Sequence, residues 1–294
     1  MDETKYRYTD SEEKKHCHEF NKDGEWKPLL GTSTVLDVLS KPLTYWAVGL
    51  ALVKLGWVKI RMKPDEIPKE MQERADELAL EFKRAYSGYV SIPREIRLEG
   101  VTVKLAEIQK MTPDEFLTLL DEAYHAHKTN LKETAQDGKD LHALAEEWIK
   151  GEISGKHITP DPDIAPLVSW AKANVKRWLW SEMHCYSEKH WVGGISDAGF
   201  ETLEGAYGIL DIKSSKDAYT SQFIQIGGYD IQVSENGGFD SQGKKVFDLD
   251  GKTIEQYVIF PFGMKRPEAQ VRYNTDELRK GFLAAKYLHR LINV

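Results

Sequence analysis

The chain reads as an α/β protein with a central mixed sheet flanked by helices. Three observations predict this class: three consecutive strand-like stretches between residues 183 and 212, helical periodicity before and after them, and one further apolar strand ahead of a closing helix. The expected order over the C-terminal part is α-β-β-β-α-β-α.

Residues 1–27 are polar with scattered aromatics, and Asn21-Lys22-Asp23-Gly24 supplies the turn of a short hairpin. Gly31-Thr32-Ser33-Thr34 offers hydroxyl caps to a helix carrying Val35, Leu36, Val38 and Leu39, and Pro42 breaks it before a second apolar helix from about Thr44 to Trp57. A polar helix is expected over Ile67–Tyr86, and Tyr89–Leu105 has the branched, alternating character of paired strands around Glu99-Gly100. Thr112-Pro113-Asp114-Glu115 forms a capping box with proline at the first helical position, starting a helix that runs towards Asn130. Another helix is expected from about Thr134 to Lys150. It sets Leu141, Leu144, Ala145 and Trp148 on one face and His142 and Glu146 one turn apart.

After Pro160-Asp161-Pro162, residues Ile164–Trp180 read as an amphipathic helix. Met183–Trp191, Gly194–Thr202 and Ala206–Ile212 then form an antiparallel meander with Glu204-Gly205 as its tight turn. A helix over Ser221–Ser234, a mobile glycine-rich loop over 236–251 bordering the substrate, a strand over Gln256–Phe262 and a helix over Thr275–Leu291 complete the chain. The expected division is a mainly helical region with small β elements at 1–133, shaping the path of the substrate, and a core at 134–294.

Composition narrows the function classes. With 41% hydrophobic and 30% charged residues, the 294-residue chain has the balance of an ordinary water-soluble globular protein. Its longest apolar run, Trp46–Trp57, is interrupted by Lys54 and falls short of the ~20 residues that cross a bilayer, so no membrane partner is expected. Cys17 and Cys185 are too few for a disulfide framework or an iron-sulfur cluster, which points to a reducing cytoplasm. No phosphate-binding Gly-x-x-x-x-Gly-Lys-Ser/Thr loop is present, so no nucleotide cofactor is expected. The net charge of -7 requires that any nucleic acid be met by a local basic groove.

Asp197 falls near the middle of the second meander strand, and Asp211-Ile212-Lys213 ends the third, where alternation sets Asp211 and Lys213 on one face. Two converging carboxylates repel unless a cation neutralises them, and hard oxygen ligands suit one or two Mg²⁺ or Mn²⁺ ions. Such a cation stabilises charge on a phosphodiester oxygen and acidifies water, while the Lys213 ammonium orients that water. Taken singly these signals are weak. An Asp-x-Lys at a strand end is usually a solvated pair, His142 a half-buried helix histidine, and Gln225 with Tyr229 a bridge between helix and sheet. The tryptophans at 148, 170, 178 and 180 fall on helical spacing and read as core.

The signals come in a fixed order: Gly138-Lys-Asp-Leu-His142, Gly194-Ile-Ser-Asp197, Asp211-Ile-Lys213-Ser-Ser-Lys216 and Gln225-Ile-Gly-Gly-Tyr229. This series resembles the PD-(D/E)XK nuclease superfamily, in the branch of RecB-type nuclease domains and small phage exonucleases, over roughly Gly138 to Phe262. The resemblance implies a restriction-endonuclease-like αβββαβ core. It assigns metal binding to His142, Asp197, Asp211 and the carbonyl of Ile212, and the role of catalytic lysine to Lys213. It further implies supporting roles for Gln225 and Tyr229, an acidic position before the first strand at Glu182, and DNA contact by Lys216. Ser196 stands where the superfamily's name has proline, and the second acid is Asp211 rather than glutamate. The iron-sulfur cysteines of CRISPR-associated relatives and the helicase fused to RecB have no counterpart. Gly31-Thr-Ser-Thr-Val-Leu-Asp-Val-Leu with Pro42 and Trp46 is similar to the opening of small phage and mitochondrial-type exonucleases. The implied activity is metal-dependent hydrolysis of DNA, as an exonuclease on single strands or linear duplex ends in phage replication, recombination or repair, with a recombination or replication protein as candidate partner. A non-catalytic nucleic-acid-binding module and a small-molecule phosphoesterase are the alternatives.

Overall fold

The computed structural model describes residues 5–11, 16–39, 48, 51–55, 61–62, 90–91 and 94–292. Two compact units divide the chain, Met1–Ser40 with Ala135–Val294, and Lys41–Thr134. The sequence reading had grouped the first forty residues with 41–133.

The first unit opens with a three-stranded sheet of β1 (Tyr6–Thr9), β2 (Cys17–Lys22) and β3 (Glu25–Pro28). The expected hairpin turn is present: Asp23 and Gly24 both take positive φ, 57° and 85°, between Lys22 and its partner Glu25. β4 (Leu30–Gly31) follows, then α1 (Thr32–Val35) and a 3-10 turn at Leu36–Leu39. The expected hydroxyl cap is absent. Gly31 is the N-cap, and the Thr32 hydroxyl donates instead to the carbonyl of Gly193 at 3.0 Å.

In the second unit, β5 (Arg61–Met62) pairs antiparallel with β6 (Val90–Ser91), and α2 spans Arg94–Ile108. The strand pair expected around Glu99-Gly100 is therefore a helix. Half-buried positions recur at 97, 100, 101, 104 and 108, a helical period that the branched side chains had disguised. The expected helix over Ile67–Tyr86 lies outside the described residues, as does most of that over Thr44–Trp57, of which 48 and 51–54 are helical. α3 runs from Pro113 to Ser154 as one helix instead of two, because nothing from Asn130 to Thr134 is glycine or proline and Gly138 alone costs only about 1 kcal/mol. Its capping box is formed: the Thr112 amide donates to Glu115 at 2.7 Å and the Glu115 amide to the Thr112 hydroxyl at 3.3 Å.

α4 (Ala165–Asn174) is shorter than expected and yields at Val175 to β7 (Val175–Ser187). Asn174 Nδ2 donates back to the Trp170 carbonyl at 2.8 Å, and the ladder to β8 (Val192–Thr202) begins at once with Val175 opposite Thr202. Register shifts between Val175 and Arg177 and between Trp178 and Trp180 interrupt the period of two, which is why 175–180 resembled a helix. β9 (Tyr207–Lys213) pairs antiparallel with β8, α5 covers Thr220–Asn236, and β12 (Ile254–Pro261) returns parallel to β9. The segment expected as a glycine-rich loop contains β10 (Gly238–Phe239) and β11 (Lys245–Phe247). Its Gly238 serves close packing, since a Cβ there would lie 1.8 Å from Met183 Sδ. β13 (Gln270–Arg272) and α6 (Thr275–Ile292) close the chain.

The resulting sheet is mixed, in the order β11-β10-β7-β8-β9-β12-β13, with β4 against β8. Alternation along β12 feeds two cores. Val258 and Phe260 join Leu210, Trp148, Leu167 and Trp178 on the side of α3 and α4, whereas Tyr257 and Ile259 join Ile209, Phe223 and Leu278 on the side of α5 and α6. Trp148, Trp178 and Trp180 are buried as expected and Trp170 is partly buried against the first core, but Trp178 and Trp180 stand on β7 and enter different cores rather than sharing a helical face.

Candidate active and metal-binding site

The β8–β9 ladder ends at the pair Ala198 and Leu210, so Asp197 and Asp211 occupy the next position on each strand. On the other side of β8, Ser181 faces Ala198 and Met183 faces Ser196, which leaves Glu182 across from Asp197. Glu182 takes a positive φ of 49°, an uncommon backbone for a residue with a side chain. From α3, His142 Nδ1 reaches to 3.6 Å from Asp197 Oδ2. One ligand atom each from His142, Glu182 and Asp197 lies within 4.8 Å of the others.

Asp197 Oδ2 also accepts the Ile212 amide at 2.7 Å, so Ile212 enters the site through its main chain while its side chain is buried in the core. Asp211 is 1% exposed. Its Oδ2 lies 2.6 Å from Lys213 Nζ, yet neither carboxylate oxygen has a partner in hydrogen-bonding geometry among the described residues. On α5, Gln225 Nε2 donates to the Tyr229 hydroxyl at 2.8 Å, four residues apart on one face. Gln225 also borders an open hollow of 220 Å³ together with Ser33, Asp37 and Ser221. Lys216 is exposed in the segment between β9 and α5.

The electrostatics follow from crowding acids in a partly buried place. Burial, then Asp197, Glu146 and Asp211, push the Glu182 carboxyl up to about 8, against the pull of Lys150. Burial likewise holds Asp211 above the usual carboxylate range, with Lys213 opposing and Asp197 reinforcing. Burial works against the charged form of Lys213, but Asp211 and Asp197 outweigh it and keep the ammonium protonated. The Tyr229 phenol is raised by burial and then by Asp211 and Asp197, which sets it within their field.

No family model matches this chain, and no curated protein matches it. The geometry therefore stands alone. It brings His142, Glu182 and Asp197 together and adjoins Asp211 and Lys213, whereas the sequence had named His142, Asp197, Asp211 and Ile212 as ligands and Glu182 only as support. Glu146, one turn beyond His142, was visible by spacing but had no assigned role; it is ion-paired with Lys150 and adds to the field on Glu182. Thr32 was missed as part of the scaffold. Its hydroxyl also accepts from Gln232 Nε2 at 2.7 Å, a contact across 200 residues of chain that local spacing does not reveal.

The donor set fits a hard divalent cation. Two acids and an imidazole surround one point, the adjoining buried Asp211 carboxylate has no hydrogen-bond partner among the described residues, and burial and then the neighbouring acids raise Glu182, so a bound cation would favour the charged form of each acid.

Proposed function

We propose that this protein is a Mg²⁺- or Mn²⁺-dependent DNA nuclease with a restriction-endonuclease-like core, acting as an exonuclease on linear DNA. The observation that carries the reading is the convergence of His142, Glu182 and Asp197 within 4.8 Å beside an Asp211–Lys213 pair 2.6 Å apart. The order α3, β7, β8, β9, α5, β12, with an antiparallel meander followed by a parallel return strand, supports the same reading.

His142, Glu182 and Asp197 would hold the cation, with Asp211 adjoining. When bound, the cation supplies Lewis-acid polarisation of the phosphodiester and lowers the pKa of water. Lys213, kept as an ammonium by Asp211 and Asp197, orients the attacking water and stabilises charge developing on the phosphoryl oxygens. Tyr229 accepts from Gln225 and so keeps its own hydroxyl proton to donate into the site. Lys216, exposed three residues beyond Lys213, contacts the backbone of the strand.

The test incubates the purified chain with Mg²⁺ or Mn²⁺ and end-labelled linear single- and double-stranded DNA, beside a covalently closed circle and a Lys213→Ala control. Degradation of linear DNA alone, lost in the variant, is expected. Cutting of the circle would replace the exonuclease reading by an endonuclease one, and inertness of the wild-type chain would overturn the assignment.

A further inference from the structure

Beside the carboxylates, the N-terminal hairpin sets a second group of chemistry-bearing side chains against β7. The hairpin is seated by Tyr6, whose ring stacks on Tyr186 at 4.8 Å and 6°, and by His18, which fills the space a Cβ at Gly193 would need. The Tyr6 hydroxyl and His18 Nδ1 are hydrogen-bonded at 2.7 Å. From this anchor the Tyr8 ring lies against His184, with centroids 4.5 Å apart, and 5.0 Å from His18. The Tyr8 hydroxyl is hydrogen-bonded to His16 Nδ1 at 2.8 Å. His184 is two residues along β7 from Glu182, a rise of about 7 Å.

We propose that Tyr8, backed by His184 and His18 and held by His16, is a stacking subsite for one unpaired nucleobase of the strand whose phosphate lies at Glu182 and Asp197. The inference rests on the nuclease reading above and adds to it a base contact and a preference for unpaired ends.

Two observations support it. Tyr8 is half-buried while His184 and His18 are 7% and 5% exposed, so the ring has a rigid backing and retains accessible surface. Tyr8, His184 and His18 also pack ring against ring, with centroids 4.5, 5.0 and 6.1 Å apart, so what the group offers a strand is a braced π-face, which suits a base. A base within a duplex has both faces covered, so this contact selects a single strand or a frayed end.

The test measures binding in EDTA of a single-stranded oligonucleotide carrying 2-aminopurine near one end, and of the same oligonucleotide with an abasic residue there. Wild type and Tyr8→Phe are expected to quench the 2-aminopurine and to bind the intact strand about tenfold more tightly than the abasic one. Tyr8→Ala, checked for folding by circular dichroism, is expected to lose both the quenching and the preference. Wild-type binding indifferent to the abasic residue, or unchanged by Tyr8→Ala, would overturn the subsite. Metal-dependent cleavage with Tyr8-independent binding would leave the nuclease reading intact. Tyr8-dependent quenching in a chain that never cleaves DNA would overturn that reading and keep a base-binding site.

Discussion

The main-chain amide of Ile212 donates to Oδ2 of Asp197 at 2.7 Å, tying the carboxylate at the end of the β8–β9 ladder to the strand that carries Asp211 and Lys213. Asp197→Asn retains this acceptor and Asp197→Ala does not. Urea unfolding should place the Ala variant about 1–2 kcal/mol below the Asn variant, since an amide left without its partner costs roughly that much. Equal stabilities would show that the bond contributes nothing. Mn²⁺ is expected to raise the melting temperature of the wild type and of neither variant.

Lys213 is the cation nearest the buried Asp211 carboxylate, 2.6 Å away. Lys213→Met leaves that carboxylate uncompensated, and a loss of about 3–5 kcal/mol is expected. Adding Asp211→Asn should restore most of the stability and none of the cleavage. A double variant no more stable than Lys213→Met would mean that the two groups are not energetically coupled.

A Cβ at Gly194 would come within 2.6 Å of Thr32 Oγ1 and 2.8 Å of Tyr229 Cε1. Gly194→Ala should therefore shift Tyr229, destabilise the protein by about 1–3 kcal/mol and slow cleavage. Normal stability with normal turnover would indicate that the space can open without consequence.

His18 is held down at about 4, chiefly by burial. The unfolded chain takes up a proton near pH 6.5, whereas the folded chain resists until about 4. The stability that His18 contributes is thus present above about 6.5 and lost as pH falls to about 4. Glu182, raised in the folded protein, acts in the opposite sense between about 8 and 4.5, so the comparison must be with His18→Gln. The stability difference between wild type and His18→Gln should shrink as pH falls from 6.5 to 4. A constant difference would refute the linkage.

Much of the fold was legible where the signal is local. Asp23-Gly24 demanded a hairpin turn, Thr112 and Glu115 a capped helix, and Glu204-Gly205 a reversal; each depends on a few adjacent residues and each is present. The failures lie where packing overrides local pattern. Val175–Trp180 pairs with β8 through two irregularities, and 236–251 gains strands because Gly238 lets β10 close on Met183. At the site, period-two spacing located Asp197, Asp211 and Lys213. It did not reveal that Glu182 stands opposite Asp197, because that depends on the β7 register, nor that Tyr8 rests on His184, 176 positions later.

The division of the chain also has a consequence for biosynthesis. Residues 1–40 belong with 135–294, and Thr32 finds Gln232 only after 200 further residues. On the ribosome the N-terminal hairpin emerges long before β7, β8 and α5 exist, so its aromatic face has no native surface to cover it during that interval. Closure of this unit depends on contacts of high sequence separation, which makes it slow. Translation speed and chaperone supply are then expected to affect how much folded protein a cell recovers.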